Sequence, residues 1–471
     1  MLLLSLLATA ALLLAGSVAA DDVTWGDTVI DTMETLSGTN VTLDGNLTVA
    51  TGGYLYMADG DLMVNATAAG QFTILVEEGG ALVLSDVDIS SAGGTYGIQV
   101  HGHMDMVRGN VTDLEEEHQN KIVARGFVVF DEGTLNLTDT HVVNTAGYAL
   151  VVNDTGTVVM VGGSLYGASI ALRINDGGMV GLSGTDVSAD TGTELVMLSA
   201  AGLVIAENCT FSTDDVYSPS VQSVAFHLLG DSNEAVVIDC VITTPELAIL
   251  NGGYLEVLTS IYDPDRSRGA IPDLSARDAT VVLEEITLAE LNVFNSSLEL
   301  ISSTYSQGSV TNGSVVYSYG PVPPRSTFAE DTVHIHHYWI DFLLLNRTGD
   351  PDKNLVLRIY NSEGGQVHPQ EVTEEDGQVD HVPIRSWTID NGLFEYEPSH
   401  RIEFGGTSYQ ISNLQVYDND TVVLWDMVGS YDLVLNTDSV VLSTPAPEEN
   451  RTFDIIVDGE VLVPNTWSAG S

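Results

Sequence analysis

Apolar residues return in one fixed pattern behind a glycine, about eight times along the chain. Counting from Gly53, Gly80, Gly102, Gly133, Gly156, Gly178, Gly202 and Gly253, the second residue is Leu55, Leu82, Met104, Leu135, Val158, Val180, Val204 and Leu255. The fourth is Met57, Leu84, Met106, Leu137, Met160, Leu182, Ala206 and Val257, and the ninth is Leu62, Ile89, Val111, Val142, Leu165, Val187, Phe211 and Tyr262. Positions two apart share one face of a strand. The gap before the ninth position then demands a bend and a second strand facing the same interior. A third strand precedes the anchors, at Phe72, Ile74 and Val76, at Leu150 and Val152, and at Leu172 and Ile174. One such coil cannot bury its apolar face alone, so the coils must stack. The pattern predicts an all-β chain: a parallel β-solenoid over residues 38–320 behind an N-terminal cap region at 21–37. Asn233 stands where one anchor glycine belongs. Weaker coils continue at Val281 and Leu283, at Leu298 and Leu300, and at Val315 and Tyr317.

The repeat resembles the right-handed parallel β-helix superfamily, the pectin-lyase-like fold. Handedness is what the resemblance implies; the spacing does not carry it. The resemblance rests on repeat form over some three fifths of the chain and includes no catalytic signature.

Composition shifts at Pro321-Val322-Pro323-Pro324-Arg325, a stiff linker. Residues 38–320 hold no tryptophan, whereas Trp339, Trp387 and Trp425 follow. Strands are expected at 332–345, 354–360, 366–373, 378–384, 393–404 and 420–427, separated by turn signals such as Gly349-Asp350-Pro351-Asp352 and Glu363-Gly364-Gly365. Residues 326–428 thus read as a small antiparallel β-sandwich. The stretch Trp339–Ile384 resembles carboxypeptidase-regulatory-like, transthyretin-like domains, which implies an accessory role. The tail, 429–471, reads as the first strands of a further Ig-like domain.

Residues 1–20 are uncharged and apolar, ending Val18-Ala19-Ala20 before Asp21-Asp22, as a signal peptide would. Twelve of the 24 asparagines lie in glycosylation sequons: Asn40, Asn46, Asn65, Asn110, Asn136, Asn153, Asn208, Asn295, Asn312, Asn346, Asn419 and Asn450. A secreted or cell-surface glycoprotein is expected. The chain carries 66 acidic and 14 basic residues, a formal net charge of −52, and its only lysines are Lys121 and Lys353. That excludes nucleic acid and anionic membrane surfaces as partners, because both would be repelled. The acidic, lysine-poor composition resembles that of halophilic and archaeal envelope proteins. Polysaccharide or other envelope proteins are the partners expected, with the chain itself a monomer.

Cys209 and Cys240 stand seventh after Gly202 and Asn233, in one column of successive coils. Their backbones should lie one strand spacing apart, within reach of a disulfide; two small apolar residues stacked in a core column is the other reading. Glu77, Glu78, Asp131, Glu132, Asp154 and Asp176 all stand close to anchor glycines. Stacked along one edge, they are candidate calcium ligands, and calcium is the one cofactor considered. His334 and His336 share a strand face at metal-ligand spacing, with a packed sandwich edge as the competing reading.

Catalysis would need a basic groove. The sole basic concentration lies between Gly102 and Gly133, where the coil is lengthened and carries His101, His103, Arg108, His118, Lys121 and Arg125. A base there could abstract a proton beside a uronate carboxylate, making the chain a polysaccharide lyase of this fold, whereas a glycoside hydrolase of this fold would need two or three clustered aspartates. The charge balance disfavours an anionic substrate, so the leading expectation is a non-enzymatic structural, adhesive or polysaccharide-binding surface protein. Tyr54, Tyr56, Tyr96, Tyr148, Tyr166 and Tyr254 are candidates for stacking on sugar rings.

Overall fold

Each repeat forms a coil of three short strands, and successive coils pair in parallel. The computed structural model describes residues 22–466, apart from 116–125, 191–192, 215–222, 264–271, 325–327, 347–349, 368–370, 398, 406–408, 417–419, 426–430, 437–438, 444–451 and 458–459. The chain divides into two compact units, Met1–Val282 with Leu288–Asn292, and Leu283–Thr287 with Val293–Ser471.

In the first unit the coil behind Gly156 runs through Thr157–Val161, Ser164–Gly167 and Ile170–Asn175. The next runs through Met179–Ser183, Asp186–Asp190 and Glu194–Ser199. Like positions sit above like. The second position forms the column Leu55, Leu82, Met104, Leu135, Val158, Val180, Val204, Ala235 and Leu255. The ninth forms Leu62, Ile89, Val111, Val142, Leu165, Val187, Phe211, Ile242 and Tyr262. Nearly all of these side chains are fully buried. The third leg closes the interior with Leu150, Leu172, Val196, Phe226, Ala248 and Leu274.

The anchor glycines have a packing cause. A Cβ at Gly102 would lie 2.2 Å from the Glu77 carbonyl oxygen, and one at Gly133 would lie 2.3 Å from that of Val100. The chain therefore turns directly against the backbone of the preceding coil, where no side chain fits. Asn233 solves the same corner differently: its Oδ1 accepts the Gly202 N–H at 2.9 Å, and its Nδ2 donates to the Gly230 carbonyl at 3.0 Å.

Two further columns build the next bend. The sixth position after the anchor is left-handed in successive coils, at Asp59, Asp86, Arg108, Asp139, Gly162, Gly184, Asn208, Asp239 and Thr259. Asp, Asn and Gly tolerate that conformation best. The seventh position is often a buried hydroxyl or thiol that donates to the carbonyl two residues back. Thr140 reaches Thr138 at 3.0 Å, Cys209 reaches Glu207 at 3.3 Å, Cys240 reaches Ile238 at 3.2 Å and Ser260 reaches Leu258 at 2.8 Å.

In the second unit the strands Ser297–Ile301, Val315–Tyr319 and Val333–Leu345 pair in parallel, aligning Leu298 with Val316 and His334, and Leu300 with Ser318 and His336. The proline-rich stretch thus lies between two rungs of one ladder. Gln378–Asp390 then runs antiparallel to Val333–Leu345. His334 and His336 are fully buried, and the Ser318 hydroxyl lies 2.7 Å from both imidazoles. Their expected strand face is thus an interior one, with Trp387 stacked 4.8 Å from His336 and edge-on to His334 at 4.7 Å.

The far half of Val333–Leu345 belongs to a sandwich. It faces a sheet ordered Glu371–Val372, Val356–Tyr360, His400–Phe404, Tyr409–Val416, Tyr431–Asn436 and Ser439–Ser443. Ile340, Phe342, Leu344, Leu357, Ile359, Ile402 and Phe404 are in its core. Pairing is antiparallel except between Tyr409–Val416 and Tyr431–Asn436, and between Ile340–Leu345 and Asp420–Trp425. The strand Tyr409–Val416 was not expected from sequence. A register shift between Ile411 and Asn413 breaks its alternation, so Ile411 and Leu414 both face inward three residues apart.

Candidate functional site

The third-leg strands of the first unit carry the richest chemistry on their outward positions. Between the inward Leu172 and Ile174 stands Arg173, paired with Val151 and Met197 in the neighbouring rungs, and the same column continues to His227 and Ile249. Arg173 lies over the Tyr148 ring, 5.6 Å from its centroid, and its Nη1 donates to the Tyr148 hydroxyl at 3.4 Å. Its Nε donates to Asn175 Oδ1 at 3.1 Å. The Asn175 amide donates to Asn153 Oδ1 at 2.8 Å, and the Ser199 hydroxyl donates to Asn175 Oδ1. Asn153, Asn175 and Ser199 therefore form a polar ladder along the solenoid axis, one rung per coil, about 4.8 Å apart. An aromatic ring with a guanidinium over it flanks that ladder. Beneath lies a buried apolar cluster of Val128, Tyr148, Val151 and Ile170, with Phe130 and Met197 against it.

Two rungs further, His227 Nδ1 lies 2.6 Å from Glu194 Oε1. Glu246 occupies the Glu194 column. Burial, then the Asp273 carboxylate, raises the Glu246 pKa to about 7, with His227 opposing. Asp273 is itself buried and accepts from the Tyr262 hydroxyl at 3.3 Å and from the Ala289 and Glu290 amides. The folded chain holds a proton on Glu246 that the unfolded chain releases. Its stabilising contribution is therefore whole below the ordinary glutamate pKa and is lost as pH rises through 7. Glu246→Gln should flatten denaturant-midpoint profiles between pH 5 and 8 and raise stability at pH 8 by about 1–2 kcal/mol after solvent screening. An unchanged slope would contradict this.

Of the basic residues of the lengthened coil, the structure describes His101, His103 and Arg108 and gives each a different setting. His101 stacks on Phe130 with centroids 4.8 Å apart and lies 3.8 Å from Asp131. Arg108 stands at the next bend, in the left-handed column, where its Nε and Nη2 grip Asp86 at 2.8 and 2.7 Å. It neutralises an aspartate turn and does not face His101. Lys121 and Arg125, with His118, lie outside the described residues, as do Asn419 and Asn450.

His103 is the most elaborately placed. Its Nδ1 lies 2.7 Å from Thr134 Oγ1 and its Nε2 lies 2.9 Å from Asp105 Oδ2, while Asn136 Nδ2 donates to Asp105 Oδ1 at 2.7 Å. The hydrogen bond to Asp105 raises the His103 pKa against the effect of burial. Burial opposes ionisation of Asp105, but the hydrogen bonds from His103 and Asn136 outweigh it and lower its pKa. A protonated His103 donates at both nitrogens, so the Thr134 hydroxyl then has no base to activate it. The trio joins coils on an open strand face.

Of the candidate calcium ligands, Glu77 Oε2 accepts the Thr51 N–H at 3.3 Å. Asp131, Asp154 and Asp176 occupy left-handed turn positions. The Asp154 pKa is raised, first by burial, then by Asp131 and Asp176, and by sharing a hydrogen bond with Asp131. Among the described residues no group of three or more His, Cys, Asp or Glu side chains is arranged around a common metal position. The sequon asparagines Asn40, Asn65 and Asn110 are exposed and donate from Nδ2 to Asp22, Asp44 and Asp88 of the preceding coil, at 3.1, 2.7 and 2.7 Å. Cys209 and Cys240 are free thiols in adjacent rungs.

Sequence inspection missed the strip around Arg173. Its only signal was a lone arginine between two inward aliphatics, followed by Asn175 near an anchor. Tyr148, singled out for sugar stacking, lies beneath it and is 5% exposed; Tyr96 is fully buried and its hydroxyl donates to the Ile89 carbonyl at 3.1 Å.

No family model matches the chain, and no curated protein matches it. Among solved structures it is similar to a mutant tailspike protein of E. coli bacteriophage HK620, at 10% sequence identity and a TM-score of 0.37, over 82% of this chain and 85% of that one.

Proposed function

We propose that this chain is an exported surface protein whose β-helix binds a neutral, extended polysaccharide along the strip of Asn153, Arg173, Asn175 and Ser199, with the buried Tyr148 supporting Arg173 from beneath. The observation that carries the reading is the axial ladder of amide and hydroxyl groups beside a guanidinium lying over an aromatic ring. A hydroxyl-rich polymer presents donors and acceptors at regular intervals, and rungs repeating at the strand spacing meet them in series. A net charge of −52 repels polyanions, which favours an uncharged chain. The apolar leader at 1–20 and the dense sequons support an envelope location and a glycan coat. Hydrolysis has less support, because Glu246, an acid on this leg held near neutrality, is only 2% exposed.

Binding to a panel of neutral polysaccharides tests the reading. Arg173→Ala should weaken the best binder about tenfold or more, since a buried-side hydrogen-bonding cation is worth about 1.5–3 kcal/mol. Arg401 also lies over a tyrosine, 4.3 Å from the Tyr360 centroid, but in the second unit. Arg401→Ala should leave binding unchanged. Equal affinity of the native chain and a folded Arg173→Ala variant would overturn the assignment.

A further inference from the structure

The seventh position of the coil is a column of small residues, several of them polar, and two adjacent rungs of it hold the only cysteines among 471 residues. Elsewhere the column holds glycine at Gly60, Gly109 and Gly163, valine at Val87, and hydroxyls at Thr140, Thr185 and Ser260. Thr140 and Thr185 donate to the carbonyls two residues before them, at 3.0 and 3.4 Å, and Ser260 does so at 2.8 Å. The hydroxyl also serves the rung before it: the Cys240 N–H donates to Ser260 Oγ at 3.0 Å. Cys240 repeats this role toward Cys209, whose N–H donates to Cys240 Sγ at 3.3 Å. A serine pair would therefore satisfy the same backbone groups. Sulfur adds nothing to this hydrogen bonding, which leaves its redox chemistry as the property that distinguishes these two rungs.

The geometry suits that chemistry. Flanking residues pair Thr210 with Val241 and Glu207 with Ile238, so the two cysteines face each other across one ladder spacing. That spacing, about 4.8 Å, lies within the Cα separations a disulfide accepts, about 4.4–6.8 Å. Both thiols are buried, and each donates to a backbone carbonyl, Cys209 to Glu207 and Cys240 to Ile238. The closeness of the two sulfurs makes Cys209 the more acidic partner, lowered to about 7, and raises Cys240. The lower pKa makes Cys209 the attacking sulfur near neutral pH.

We propose that Cys209 and Cys240 are a cross-linking site, converted in the folded chain from dithiol to disulfide by a small-molecule disulfide oxidant, so that two coils become covalently tied. The Cys209 thiolate attacks one sulfur of oxidised glutathione and expels a glutathione thiolate, leaving a mixed disulfide. Cys240 loses its proton and attacks the Cys209 sulfur, expelling the second glutathione. Two electrons pass from the protein sulfurs to the glutathione disulfide, and the two protons leave with the released thiols. The site is independent of what the outward strip binds.

The test incubates the folded, full-length chain with oxidised glutathione, blocks remaining thiols in denaturant and maps peptides without reduction. The expected result is one linked peptide joining Cys209 to Cys240, together with a raised thermal midpoint that returns on reduction. Cys240→Ser keeps the hydrogen bonds that Ser260 makes in the same column, so it folds. In that variant Cys209 should stop at the glutathione mixed disulfide, because the resolving sulfur is gone. Recovery of both cysteines as free thiols after native oxidation would overturn the proposal. So would two separate glutathione adducts, or a link formed only in unfolded chain.

Discussion

Gly133→Ala is expected to destabilise the solenoid by about 3 kcal/mol or more, the upper range of overpacking penalties. The added Cβ would stand 2.3 Å from the Val100 carbonyl oxygen and 2.6 Å from that of Phe130. Both are backbone atoms, and Val100 belongs to the preceding coil. Relief therefore requires two rungs to part, which breaks ladder pairing on either side. Gly181 provides the control, because a Cβ there meets nothing within 4 Å. Gly181→Ala should change stability by no more than about 0.5–1 kcal/mol and in the stabilising direction, since alanine loses less backbone freedom than glycine. Denaturant midpoints of the two variants, measured side by side, decide the matter. Equal midpoints would mean that the coils do not pack as tightly as described.

The second large effect is expected at Trp387, whose replacement by alanine should cost about 3–5 kcal/mol, the range for emptying a buried aromatic site. Trp387 is 2% exposed and packs on His334, His336 and Phe394, with ring centroids 4.7, 4.8 and 5.4 Å away. In the inward columns of the second unit, Leu300 gives way to Ser318 and then His336, and Val316 to His334. The indole covers this change from aliphatic to polar interior, where the parallel ladder gives way to the antiparallel strand Gln378–Asp390. Its loss leaves a cavity beside the Ser318 bridge. Trp387→Phe should recover part of the loss, because a smaller ring still stacks on His336. A Trp387→Ala midpoint within 1 kcal/mol of native, on the scale of surface changes, would remove this residue from the core.

The solenoid was legible in the sequence because burial imposes a period. Leu82, Met104 and Leu135 had to be apolar in the same place each time, and their pairing in one column follows. The sandwich was legible from turn signals and the return of tryptophan. Less visible was the continuity of the ladder across Pro321–Arg325, because His334 and His336 replace the aliphatics that marked earlier rungs. The strip around Arg173 was harder still. Outward positions carry no period, and nothing local shows that Tyr148, Asn153, Arg173, Asn175 and Ser199 meet across three coils. Closeness in sequence was no guide to closeness in space at His101, His103 and Arg108. They read as one basic cluster, yet His103 and Arg108 stand at opposite ends of the strand His103–Val107, roughly 16 Å apart at 3.3 Å per residue. Each is held by its own aspartate, at Asp131, Asp105 and Asp86.

Calorimetric titration of the full chain with a length series of one neutral oligosaccharide tests polymer recognition along stacked coils most directly. Affinity should climb with each added sugar until the ligand spans the rungs from Asn153 to Ser199, then level off. Arg173→Ala should remove most of the gain. Affinity that does not depend on length, or no binding by any member of a broad neutral panel, would contradict a polysaccharide-binding face.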